Sequence, residues 1–69
     1  MEISDLLETL KSSDDASVRA NTALLLSSFD EEEVVPALCF ALKTDTSPDV
    51  RSNAAKALGI IGSKQMKEG

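Results

Sequence analysis

VRSNAAKALGIIG, residues 50–62, has a weaker copy in VRANTALLLSSF, residues 18–29 of the same chain. The two begin 32 positions apart, and that offset superposes the halves along their length. Leu6 falls on Leu38, Leu10 on Leu42, Lys11 on Lys43, Asn21 on Asn53, Ala23 on Ala55 and Leu26 on Leu58. The chain is one unit written twice.

Each unit reads as two short helices. Ile3, Leu6, Leu7 and Leu10 stand at i, i+3, i+4 and i+7, one apolar face of a helix over residues 3–11. Ser12-Ser13-Asp14-Asp15 interrupts it, with Asp15 placed to cap a second helix over 16–28 whose apolar face is Val18, Thr22, Leu25, Leu26 and Phe29. The acidic residues Asp30 to Glu33 suit the positive end of a helix, and their solvated reading outweighs a cation site. A third helix starts between residues 32 and 35, where Pro36 is tolerated, and runs to about residue 43 with Val35, Leu38, Cys39 and Leu42 inward.

Ser47-Pro48 is a serine cap followed by proline at the first helical position. The fourth helix then runs to about residue 61, with Gly62 as its natural stop and Gly59 an interior glycine costing roughly 1 kcal/mol against alanine. The tail, 63–69, defines no further element, although Met66 is the offset partner of Val34 and a third unit could begin there. Repeat 1 covers about 3–29 and repeat 2 about 31–62, in one domain over 1–69. The expected core is Leu6, Leu7, Leu10, Val18, Leu25, Leu26, Leu38, Cys39, Leu42, Val50, Ala54, Leu58 and Ile61. A short period made of paired amphipathic helices predicts an all-α fold, a short α-solenoid of two hairpins and four helices.

Composition narrows the chemistry. A chain of 69 residues is at the size where one core is marginal. With one cysteine and no histidine there is no internal disulfide to form, no Cys/His metal cluster and no base to activate a thiol, so neither cofactor nor enzymatic activity is expected. Cys39 takes the place of Leu7 and reads as a small buried hydrophobe. Twelve acidic against seven basic residues give a net charge of −5, which disfavours nucleic acid. No apolar run approaches the roughly 18 residues that span a bilayer, and MEISD lacks the basic start of a secretion signal. The expectation is a cytoplasmic protein with no membrane contact.

A family resemblance rests on Asp45, Val50-Arg51, Ala54-Ala55, Ala57-Leu58-Gly59 and Ile61-Gly62, following Val35-Pro36-Ala37-Leu38 and Ala41-Leu42. This pattern resembles the HEAT-like repeats of the phycobilisome-lyase type, over about residues 3–62 as two units. The first unit is degenerate, with Thr22, Leu24-Leu25 and Ser27 where the family prefers alanine or glycine. The resemblance implies that an acidic residue in the turn bonds an arginine six positions on, as Asp45 and Arg51 are spaced, locking the turn and aiding repeat stacking. In the first unit Ser13 stands six before Arg19, and Asp14 would have to substitute.

The resemblance also implies that the second helix of each hairpin lines a concave surface. At 100° per residue, Val50, Ala54, Ala57, Leu58 and Ile61 share the core side of the fourth helix, while Ser52, Asn53, Lys56 and Ile60 lie opposite. Their equivalents in the second helix are Ala20, Asn21, Leu24 and Ser28. The candidate partner-binding residues are therefore Asn21, Leu24, Ser28, Ser52, Asn53, Lys56 and Ile60. Leu24 and Ile60 are the apolar anchors, although single exposed aliphatics are also ordinary. Phe40 packs between the repeats or against a partner, and the internal reading is preferred.

The expected function is a non-enzymatic protein-protein interaction module or scaffold. The alternative is an accessory subunit or fragment of a bilin lyase-like enzyme system, whose tetrapyrrole pocket would need aromatic, His or Arg side chains that are scarce here. Two other activities of HEAT-like proteins lack their residues: di-iron hydroxylation has no His-Glu motif, and DNA alkylation repair has no basic groove. Two repeats are fewer than the three or so a solenoid usually needs. The chain is then a fragment of a longer solenoid, a natural minimal protein, or a protomer stacking on its own copy, and self-association or a companion chain is expected.

Overall fold

The computed structural model describes residues 2–68, with side chains through residue 64. Four helices follow one another: α1 (Ile3–Ser12), α2 (Ala16–Leu26), α3 (Val34–Thr44) and α4 (Pro48–Glu68), with no strand among the described residues. Three-residue turns join α1 to α2 and α3 to α4, short enough to force each pair antiparallel. The two hairpins then stack, with α2 against α4 as the most extensive contact and α1 only lightly touching α3.

The predicted caps form. The Asp15 carboxylate accepts from Ser17 N–H at 2.9 Å, and Ser47 Oγ accepts from Val50 N–H at 3.4 Å ahead of Pro48. Each satisfies a backbone donor that the first helical turn leaves open. The core gathers Leu6, Leu10, Leu26, Val34, Leu38, Val50 and Ile61, with Ala20, Ala23, Ala41, Ala54 and Ala57. Leu7 and Leu58, also expected inside, pack against it half-buried.

Three expected core residues are instead exposed: Val18 and Leu25 on α2, and Leu42 on α3. In α2 the buried set is Ala20, Thr22, Ala23 and Leu26, with Ser27 just beyond the helix, because α4 crosses on the small residues and needs their low profile. In α3 the inward line is Val34, Leu38 and Ala41, so that Val35 also faces out and Cys39 is only half-buried. The face turned by about one residue relative to the expectation. Phe40 is not buried between the repeats; it is 60% exposed and lines an open groove between α1 and α3.

The largest correction lies at Gly62. The glycine does not end the helix, and α4 continues without a break through Glu68. Among the described residues no glycine has positive φ, so Gly62 is not in the left-handed geometry that would close a helix. No separate third first-helix therefore begins at residue 64, and the expectation attached to the Met66 side chain lies outside the described side chains. A Cβ built at Gly62 meets nothing within 4 Å. Gly62→Ala should stabilise the chain by about 0.5–1 kcal/mol, since alanine holds a helix interior better than glycine. Urea unfolding checks this, and a loss of stability would mean that residue 62 is a helix stop after all.

Candidate functional site

The turns between paired helices are built alike. Arg19 Nη1 donates to the Ser13 carbonyl at 2.6 Å, and Arg51 Nη1 donates to the Asp45 carbonyl at 2.8 Å, both reaching back six residues. Within each turn a side-chain oxygen receives the N–H two positions on: Ser13 Oγ from Asp15 at 3.3 Å, and Asp45 Oδ1 from Ser47 at 2.9 Å. Ser13 thus performs the turn-closing part of the role of Asp45, and Asp14 is not needed for it.

The carboxylate of Asp45 does something the spacing alone did not predict. It pairs with Arg19 of the preceding hairpin, Oδ2 with Nε at 3.0 Å and Oδ1 with Nη2 at 3.1 Å, a two-pronged bond with both side chains largely shielded. Among the described residues Arg51 hydrogen-bonds only the backbone oxygen of Asp45. The six-residue spacing marked the right residues, but the charged contact runs between repeats. Burial alone would push the Asp45 carboxyl up; the Arg19 guanidinium, the Ser47 N–H and the Arg51 charge outweigh it and hold Asp45 below its ordinary value. The bond to Asp45 in turn raises the Arg19 guanidinium, keeping it charged at every working pH.

Two further ties join α2 to α4. Asn53 Nδ2 donates to the Ala20 carbonyl at 3.0 Å, and Lys64 Nζ to the Ser27 carbonyl at 2.8 Å. One donor of Asn53 is therefore engaged in holding the two helices together. Lys64 caps the C-terminal end of α2, where a cation meets the exposed carbonyls of a helix end. It escaped the sequence reading because the helix was stopped two residues before it. Its signal is the line Asn53, Ile60, Lys64, which 100° per residue places on one narrow stripe of α4 once the helix is allowed to continue.

Leu24 and Ile60 lie between these two ties along the α2–α4 seam, and they are 36% and 44% exposed. Asn21, Ser28, Ser52 and Lys56 are exposed as well, Asn53 is half-buried, and Ala20 is buried. Lys56 and Ile60 border one shallow apolar depression on α4 together with Gly59, Ser63 and Lys64. Leu24 and Ser28 do not reach it. A second groove, of about 470 Å³, runs between the C-terminal ends of α1 and α3 and is lined by Leu10, Ala37, Phe40 and Asp45 among others. Among the described residues no three His, Cys, Asp or Glu side chains are gathered to hold a metal ion. No helix among them is long and apolar enough to cross a membrane.

A family model for HEAT repeats matches residues 3–68. No curated protein and no solved structure gives a significant match to the chain.

Proposed function

This chain belongs to the HEAT repeats family, and from that premise we propose that it is a non-enzymatic module that binds a protein partner on the concave face lined by α2 and α4. HEAT repeats are commonly protein-interaction scaffolds and are generally not enzymes. The observation that carries the reading is the pair Leu24 and Ile60. Both are large aliphatics left open on the rim of a seam that the Asn53 and Lys64 ties hold at either side. Rigid backing of this kind lowers the ordering cost of binding, and aliphatic anchors ringed by polar groups are what an interface core requires. Asn21, Ser28, Ser52, Asn53 and Lys56 supply the polar rim. We place the module in the cytoplasm on its lone thiol, Cys39, which a reducing compartment suits.

Affinity capture from source lysate, comparing wild type with a Leu24→Asp/Ile60→Asp double variant, tests the face. Partner recovery should fall by at least about tenfold in the variant, the loss expected when buried anchors become charges. Equal recovery by both removes the face from consideration. The resemblance to phycobilisome-lyase-type repeats raises an accessory role beside a bilin lyase, and a bound visible absorbance band after mixing the chain with a bilin would favour that role instead.

A further inference from the structure

The exposed side chains that were expected in the core are not scattered. Val18 and Leu25 are 41% and 53% exposed, yet their partners at the 32-residue offset, Val50 and Ala57, are completely buried where repeat 2 meets repeat 1. At the other end the relation reverses. Ala20, Ala23 and Ser27 lie buried beneath α4, while their partners Ser52, Ala55 and Gly59 are open. Leu10 is buried and its partner Leu42 is 36% exposed. Each end of the stack therefore presents one half of a contact that the chain already makes once, between its own repeats.

The polar groups follow the same rule. Arg19 is met by the Asp45 carboxylate of the next repeat, whereas among the described residues Arg51, its partner by offset, bonds only a backbone carbonyl in its own turn. Asn53 reaches back to Ala20, whereas Asn21, its partner, is exposed with no such carbonyl before it. Charge is also unequal. Residues 2–29 carry five acidic and two basic side chains and the connection at 30–33 four acidic ones, while the helical pair over residues 34–64 carries two acidic and four basic. On α1 and its N-cap, Glu2, Asp5 and Thr9 take the places of Val34, Ala37 and Ala41, so the N-terminal end is apolar on α2 and polar and acidic along α1. A like-to-like pairing of ends would set similar charges together; a head-to-tail pairing sets opposite ones together.

We propose that copies of this chain stack end to end, the Val18–Leu25 face of one seated on the Leu42, Ala55 and Gly59 face of the next, repeating between chains the contact already made between the two repeats. Arg51 of one copy then meets the Ser13-Asp14 turn of its neighbour. Such a contact is heterologous, because the two surfaces differ, and it propagates instead of closing on itself as a symmetric dimer does. The acidic residues on α1 thin the apolar area, which makes the stack reversible and dependent on concentration.

Sedimentation velocity of the full chain, from about 10 µM to about 1 mM, the range of weak association, reads the outcome. Wild type should grow in mass past the dimer. Val18→Asp/Leu25→Asp, which blocks one end, and Ala55→Glu/Gly59→Glu, which blocks the other, should each associate at least about tenfold more weakly and run as monomers. An equimolar mixture of the two should form a one-to-one dimer and stop there, since one open end of each kind remains. Circular dichroism confirms that each variant keeps its helices; if one does not, Leu25→Ser or Ala55→Gln takes its place. A wild type that stays monomeric at the highest concentration would leave these ends to other chains or flanking repeats and overturn the proposal. So would a symmetric dimer that either blocked variant still forms alone.

Discussion

Leu26→Ala should cost the folded chain a large share of its stability, while Leu25→Ala, one residue away and chemically the same change, should be nearly silent. Leu26 is completely buried in the shared core, and Leu25 is 53% exposed. Truncating a buried leucine loses its transfer free energy and leaves a cavity, about 2–5 kcal/mol together. At about 0.05–0.15 kcal/mol per residue, a chain of 69 residues has about 3–10 kcal/mol in all. The first substitution takes from about a fifth to all of that; the second belongs with surface changes, within about 0.5 kcal/mol. Urea unfolding at low protein concentration, where copies do not associate, compares the two. Equal losses would mean that α2 is turned toward the phase its large aliphatics suggest.

The second large effect is expected at Asp45. Asp45→Ala removes both prongs of the Arg19 pair and the acceptor for Ser47 N–H, and it leaves the shielded guanidinium without its counter-ion. The thermal midpoint should fall by about 5–10 °C, since the midpoint of so small a domain responds steeply to a lost contact. Asp45→Asn separates charge from hydrogen bonding, and its pH dependence has a definite sign. Because the Asp45 carboxyl lies below its ordinary value in the folded chain, its contribution is complete above the unfolded value of about 3.9 and is lost as pH falls through the lower folded value. The stability gap between wild type and Asp45→Asn should therefore be constant from neutral pH to about pH 5 and shrink below about pH 4. A gap that narrows near neutrality instead would mean that the pair does not hold the carboxylate ionised. Arg19 adds no pH dependence in this range, being raised from a value already far above it.

Much of this was legible from residues alone, and the misses share one cause. The four helices, their caps at Asp15 and Ser47 and the 32-residue offset follow from local chemistry, which acts within a few residues. The facing of α2 does not. This helix is apolar nearly all round and is covered from two sides, so periodicity gives it no single direction, and the large side chains Val18 and Leu25 drew the reading away from Ala20 and Ala23. Gly62 carried a stop signal from its own propensity, yet the helix continues, and Lys64 beyond it is tied to Ser27 at the end of another helix. The Asp45–Arg19 pair was invisible for the same reason: position spacing sees one turn, and this bond spans two. At the candidate face the apolar pair Leu24 and Ile60 could be nominated from the helical plot, but the engagement of Asn53 with Ala20 is a fact about packing that no single helix contains.

Among the described residues three polar ties join the hairpins, spanning 26, 33 and 37 positions of chain, and none links one end of that span to the other. Most of the remaining contacts lie within a helix or between sequence neighbours. A topology of this kind folds without waiting for distant segments to find each other, on the microsecond-to-millisecond scale of helical bundles. With modest stability, its unfolding is quick too. The native form is then a rapidly renewed population, whose survival against proteases follows how seldom the open form is populated and owes little to any slow kinetic barrier.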